Sequence, residues 1–253
     1  MKGIGLIFGL NYKHCAQGQL DGCINDAKLI KQFLESCLKI KCKIFTDDID
    51  LKSTSGIGIL SILYETAVLS KKNNLDFVWI HYSGHGSYVP DTNLDEDDGL
   101  DECLVPSDYE TNGMVVDDHI CSVLSHFNKH TKVVCVFDCC HSGTMADLKY
   151  SWDNRTPTIE NFTCDIGAKI ITISGCLDNQ ESIDTYSFFD VQYSGVLTKS
   201  IVDVLTNHPT NDIFELMNLL KRKIKEQGAE QIPKLCSTYD IRLDPHFPFH
   251  FVQ

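Results

Sequence analysis

Residues 132–140 read KVVCVFDCC, and residues 76–84 read DFVWIHYSG. Both are short apolar runs rich in β-branched and aromatic residues, and neither alternates between apolar and polar. Strands that are apolar on both faces belong to mostly parallel sheets covered by helices on either side. The runs GIGLIFGL (3–10), CKIFTD (42–47) and KIITISGC (169–176) have the same character. Between them Ile30, Phe33, Leu34, Cys37 and Leu38 repeat at helical spacing, as do Ile59, Ile62 and Leu63, and Val196 to Leu205 and Ile213 to Ile224 read as two later helices. The expected fold class is α/β: a mostly parallel central sheet flanked by helices, an α/β/α sandwich in one domain over residues 1–253.

Composition narrows the functions open to such a domain. The chain of 253 residues is 43% hydrophobic, enough to bury a real core. Lysine and arginine total 22 against 35 acids, a net charge of −13, which argues against nucleic-acid binding and fits cation sites. No segment approaches the roughly 20 apolar residues of a membrane span. MKGIGLIFGL is followed by NYKHC instead of a small-residue cleavage site, so it reads as a first strand and not a signal peptide. Twelve cysteines without any Cys-x-x-Cys pair speak against a zinc or thioredoxin-like motif. A long, core-rich chain needs no disulfide staples, and a reducing, cytoplasmic setting is expected.

Two stretches interrupt the alternation of strands and helices. Residues 87–118 are acidic and turn-rich, and residues 144–167 are polar without a clear period. Each follows an apolar strand, and in open α/β sheets ligands bind beyond the carboxyl ends of strands. The chemistry is therefore expected where FVWIHYSGHG and VVCVFDCCHSG end. Side chains alternate along a strand, so Asp138 and Cys140 share a face while Cys139 points the other way. By the same parity Ser83 lies with His85. If the strands are neighbours, His85 faces Cys140 and forms a candidate nucleophile–base pair. Parity alone leaves inert core cysteines and a partly exposed histidine equally open.

The motifs HYSGHG (81–86) and DCCHSG (138–143) resemble those of the metacaspases, cysteine peptidases of the caspase-hemoglobinase fold. The resemblance continues through LDGCINDA, DEDDGLDECLVPSD, GMVVDD, SGCLDNQESID, SGVLT and QIPKLCST, in that order along the chain. It implies a type I-like member without an N-terminal prodomain. It divides the chain into a large-subunit-like part (about 1–148), a connecting loop (about 144–167) and a small-subunit-like part (about 168–253). Cys140 would be the nucleophile and His85 the proton shuttle, with the amides of Gly86 and Cys140 as an oxyanion hole. Glycine at 84 and 86 would let the backbone approach closely.

The resemblance also places a substrate pocket at Cys23, Asp26, Ser83 and Asp138. Two carboxylates at its base favour a cationic side chain, so cleavage after Arg or Lys is implied. A regulatory Ca2+ site would fall on Asp101, Asp117, Asp118 and Asp147, carboxylates from three loops that suit an oxygen-loving ion. DEDDGLDE does not fit an EF-hand. Lys149 and Arg155, in the stretch after the nucleophile, are candidate self-cleavage sites, since exposed polar segments are where nicks concentrate. A monomer acting on protein or peptide substrates is expected. Two other readings stay open: a catalytically silent scaffold binding partners through its acidic loop, and a redox pair at Cys139 and Cys140, which diverge within a strand and bridge poorly.

Overall fold

The two runs that open the sequence argument become the central strands of the sheet. The structure, a computed structural model, describes residues 2–90, 99–140, 145–161, 165–176, 195–229 and 231–245. The first part of the chain runs β1 (Gly3–Gly9), α1 (Cys23–Cys37), β2 (Lys41–Thr46), the short α2 (Leu51–Thr54), α3 (Gly56–Asn73) and β3 (Phe77–Ser83). It continues through β4 (Gly86–Pro90), β5 (Leu100–Leu104), α4 (Tyr109–Asn112), β6 (Val115–Val116), α5 (Asp117–Leu124) and β7 (Lys132–Asp138). The remainder is β8 (Tyr150–Asp153), β9 (Thr156–Ile159), β10 (Lys169–Cys176), α6 (Val196–Asn207), α7 (Ile213–Glu226) and β11 (Ile232–Ser237).

Eight strands form the main sheet in the order β2-β1-β3-β7-β10-β11-β8-β9. The pairs from β2 to β10 are parallel, and β11, β8 and β9 add antiparallel. All seven residues of β3 are buried, as its unbroken apolar run requires. Parity then sorts the side chains into two layers. Val78, Ile80 and Tyr82 of β3 join Val133, Cys135, Phe137 and Cys139 against Ile59 and Leu63 of α3 and Ile120 and Leu124 of α5. Phe77 and Trp79 join Val134 and Val136 against α1, α6 and α7. The edge strand β2 turns Lys41 and Lys43 to solvent, which discourages edge-to-edge association.

The expected α/β/α sandwich is the observed fold. Two stretches differ from expectation. The acidic run 87–118 is not one long loop: β4, β5 and β6 pair into a separate antiparallel sheet, followed by α5. The polar run 144–167 is no plain connecting loop, because β8 and β9 form a hairpin on the main sheet beside β11. Short, polar strands at a sheet edge carry too weak an alternation to be told from loop by pattern alone.

Trp152 fastens that hairpin. It is buried, donates its Nε1–H to Ser237 Oγ at 2.7 Å and meets Phe214 edge-on at a centroid distance of 5.5 Å. Arg155, at the hairpin tip, pairs with Asp212 at 2.9 Å and lies over the Phe214 ring. Trp152→Ala should destabilise the chain by about 3 kcal/mol, as losses of large buried aromatics do. Urea denaturation measures this, and an unchanged midpoint would mean that the hairpin is not part of the cooperative unit.

Candidate active site

β3 and β7 are parallel neighbours in a register that sets Ser83 opposite Asp138. Two residues further along each chain stand His85 and Cys140. Gly86 closes on the Cys139–Cys140 segment: a methyl group at Gly86 would come within 2.0 Å of the Cys140 carbonyl oxygen and 3.0 Å of Cys139 Sγ. Glycine is therefore required there for space. Cys139 is buried in the layer under α3 and α5, while Asp138 falls on the α1 and α6 side. Cys139 thus lies in the apolar layer expected from strand parity, on the opposite side from Asp138.

His85 is held at both ends. Its Nε2 lies 2.8 Å from the Gly18 carbonyl oxygen. A carbonyl can only accept, so Nε2 carries the proton and Nδ1 is the basic nitrogen. Burial lowers the His85 pKa, opposed by the hydrogen bond to Gly18, so the ring is neutral at neutral pH. Its face stacks on Tyr12 with centroids 4.9 Å apart. His141 lies outside the described residues.

On the α1 and α6 side three polar residues meet. Ser83 Oγ donates to Asp26 Oδ2 at 3.1 Å, and the backbone of Gly195, just before α6, packs against the same carboxylate. Asp138 Oδ2 accepts both the N–H and the hydroxyl of Thr198, at 2.8 and 2.6 Å. The α6 N-terminus has no side-chain cap from its own Gly195, so Asp138 caps it from the sheet. His81 Nε2, 3.0 Å from Thr198 Oγ1, completes the chain; as the hydroxyl donates to Asp138, it accepts from His81. Asp138 Oδ1 is buried without a hydrogen bond among the described residues.

The two carboxylates raise one another's cost. Desolvation first, and then the charge of Asp138, push Asp26 up to about 7, against a lowering hydrogen bond from Ser83. Desolvation also raises Asp138, opposed by Thr198 and the amides at the start of α6. Cys23, one turn before Asp26, is wholly buried in the cluster with Tyr12 and Tyr82. Of the four expected pocket residues, three meet through polar groups and the fourth packs.

The expected calcium ligands gather around the small sheet. Asp101 on β5 and Asp117 at the start of α5 are buried, as is Asp147 beyond the nucleophile segment, where the backbone turns to φ 46°. Asp117 is pushed up to about 10 by desolvation, then by the charge of Asp147 and by Glu102, which hydrogen-bonds to it. Its Oδ2 is a buried acceptor without a hydrogen bond among the described residues. Asp118, half-buried, donates its N–H to Asp117 Oδ1 at 3.0 Å. The donors are hard oxygens and an unsatisfied acceptor sits among them, which suits a cation of the calcium type. Among the described residues, however, no three such side chains converge at metal-binding distance. Glu102 joins the group without having been expected, because alternation alone would turn it away from Asp101.

Lys149 directly precedes the hairpin and Arg155 stands at its tip. The Lys149 carbonyl accepts the Glu160 N–H at 3.0 Å, and Arg155 is tied to Asp212. Thr198, His81 and Tyr12 contribute to the site without having been anticipated. Their only signal in the sequence was membership of SGVLT, HYSGHG and the run after β1.

The fold and the paired strand ends define a caspase-like α/β protein with a cysteine and a histidine at the carboxyl edge of its sheet. The description "Metacaspase, peptidase C14 domain" matches residues 5–149, and the chain belongs to that family. It is 30% identical to Metacaspase-2 and to Metacaspase-1 of Arabidopsis thaliana, over 87% and 89% of its own length. It spans 56% and 65% of those relatives. "Inactive metacaspase-4" of Trypanosoma brucei brucei is 28% identical over 96% of the chain and 74% of that relative. A crystal structure of a Geobacter sulfurreducens protein has the same fold, with a TM-score of 0.67, 24% identity and full coverage of both chains. No helix among the described residues is long and apolar enough to cross a membrane.

The raised Asp26 pKa has a measurable consequence. A carboxyl that holds its proton more tightly folded than unfolded makes stability fall as pH rises from the ordinary carboxylate range, 3.8, to about 7. Asp26→Asn removes that loss. Its melting temperature should match the wild type near pH 4, exceed it increasingly towards pH 7, and keep a constant lead above. A difference between the two proteins that does not vary with pH would contradict the raised pKa.

Proposed function

We propose that this chain is a cysteine endopeptidase that cleaves after arginine or lysine through a Cys140–His85 dyad. The observation that carries the reading is the meeting of Asp26, Ser83 and Asp138 on the α1 and α6 side of the same two strand ends that lead to His85 and Cys140. Two buried carboxylates with no basic side chain among the groups acting on them attract a cationic head, and a long lysine or arginine brings one on an apolar stem. An aspartate side chain would meet only repulsion.

The chemistry follows from the placement. His85 Nδ1 takes the proton of the Cys140 thiol, and the sulfur attacks the carbonyl carbon after the basic residue. The amides of Gly86 and Cys140 stabilise the charge that develops on the carbonyl oxygen. His85 then passes its proton to the departing amine as the C–N bond breaks. Water, deprotonated by His85, hydrolyses the thioester and restores the thiol. The described chain keeps both reactive residues, which favours activity over a silent scaffold.

Asp101, Asp117, Asp118 and Asp147 would hold a regulatory Ca2+, with Glu102 beside them. A bound ion would offset the desolvation and repulsion that raise the Asp117 pKa. Asp147 stands beyond Cys140, so neutralising its repulsion with Asp117 would order that segment. Self-cleavage after Lys149 or Arg155 is part of the same reading, and it requires the β8–β9 hairpin to detach, since the Lys149 carbonyl is bonded within it. With β11 covered by β8 and the edge strand β2 guarded by lysines, the chain acts as a monomer on protein or peptide substrates in the cytoplasm.

A fluorogenic peptide ending in arginine, with iodoacetamide as control, tests the activity. Cys140→Ala should abolish turnover while Cys139→Ala keeps most of it. Asp26→Ala should lower kcat/KM by about tenfold or more, equivalent to ~1.4 kcal/mol of lost transition-state binding. Preferential cleavage after aspartate would overturn the pocket. For the ion, chelation should reduce activity, and Asp101→Ala or Asp147→Ala should blunt the response to added calcium without unfolding. Intact mass after incubation with calcium should show two fragments for the wild type and one chain for Cys140→Ala. Full activity in excess chelator would refute the regulatory role.

A further inference from the structure

Tyr12 holds a backbone conformation that few residues adopt. It is wholly buried, and its φ is 54°, in the left-handed region. Asp47, itself buried, fixes this turn by accepting the Asn11 and Tyr12 N–H groups at 3.0 and 2.6 Å. Backbone strain of this kind persists only where the surroundings over-determine it, and here the phenol shows what is being held. Tyr12 Oη accepts the His85 N–H at 3.0 Å. It also lies 2.7 Å from the Val105 carbonyl oxygen and 3.0 Å from Tyr82 Oη.

Tyr82 holds the other side of the same peptide. Its Oη lies 2.9 Å from the His85 carbonyl oxygen and 2.8 Å from that of Val105. Each phenol has one proton: with Tyr12 donating to the Val105 carbonyl and Tyr82 to that of His85, both backbone groups of His85 are tied to phenols. The Tyr12 ring also supports the face of the imidazole, while Gly18, from the same β1–α1 loop, holds its far nitrogen. A methyl group at Gly84 would come within 2.7 Å of Tyr12 Oη and 2.8 Å of Tyr82 Oη, so the phenols explain why this position is glycine. Burial raises both phenol pKa values, so each remains an O–H donor at working pH.

We propose that Tyr12 and Tyr82, braced by Asp47, are positioning residues that set the imidazole of His85, and with it the following Gly86 amide, against Cys140. The proposal rests on the dyad reading above but adds to it three residues that touch neither substrate nor thiol. Tyr12→Phe keeps the ring stack and removes only the hydrogen bonds, and Tyr82→Phe does the same on the carbonyl side. Asp47→Asn replaces one acceptor by a donor opposite a backbone N–H.

Three measurements decide the matter: kcat and KM on the arginine peptide, the pH dependence of Cys140 alkylation by iodoacetamide, and the melting temperature. Misplacing a catalytic group by a fraction of an ångström is costly, so Tyr12→Phe should lower kcat by about tenfold or more with KM within about twofold. The alkylation pH profile should shift in the same variant. Folded Tyr12→Phe or Tyr82→Phe with unchanged kcat and an unchanged alkylation profile would overturn the proposal, as would a loss of activity that only follows loss of folded protein. If Tyr12→Phe does not fold, Tyr82→Phe is read by the same criteria. Failure of the dyad itself is seen separately, as activity retained by Cys140→Ala.

Discussion

The parallel pairing of β3 with β7 is the constraint on which the site depends. The register that sets Ser83 against Asp138 brings two strand ends together and sorts their side chains between two layers. A slip of one residue would exchange the layers, sending Asp138 into the apolar packing now filled by Phe137 and Cys139. Seven consecutive buried residues in β3 make that slip costly, because Trp79 and Tyr82 would each need a new cavity. The core that stabilises the fold therefore also fixes which side of the sheet each of these side chains occupies.

Electrostatics around the sheet works against folding and prepares binding. Asp26 and Asp138 are brought together under desolvation, and Asp117 is desolvated beside the charge of Asp147, with no basic side chain among the groups acting on these three in the described residues. Such groups persist because the surrounding apolar layers supply the stability they remove. In the first cluster part of the strain is offset by the α6 N-terminus, whose amides favour the Asp138 charge, and in the second the carboxylates are spread over loops.

Helix α6 links the pocket to the second half of the fold. Its first turn lacks a cap of its own, and Asp138 supplies one from the centre of the sheet. One oxygen is thereby committed to Thr198, itself held by His81, and the other has no hydrogen bond among the described residues. The carboxylate at the centre of the sheet is thus also a structural cap, which ties its orientation to the docking of α6 against the sheet.

The sequence by itself determined the five parallel strands, the helices α1, α3, α6 and α7, and the placement of Asp138 and Cys139 on opposite sides of the sheet. Those features follow from local periodicity, and the apolar pattern at each was unambiguous. It did not disclose the β4–β5–β6 sheet or the β8–β9 hairpin, whose strands are short and polar and are stabilised by partners distant in the chain, such as Ser237 for Trp152. Nor did it disclose that Asp47 pins Tyr12, that both tyrosines clasp His85, or that Thr198 orients Asp138. Each of these contacts joins residues far apart in sequence, and a tyrosine in a buried run looks the same whether its hydroxyl is merely satisfied or holds a catalytic peptide. Only the tertiary structure decides that, because only folding brings donor and acceptor within hydrogen-bonding distance.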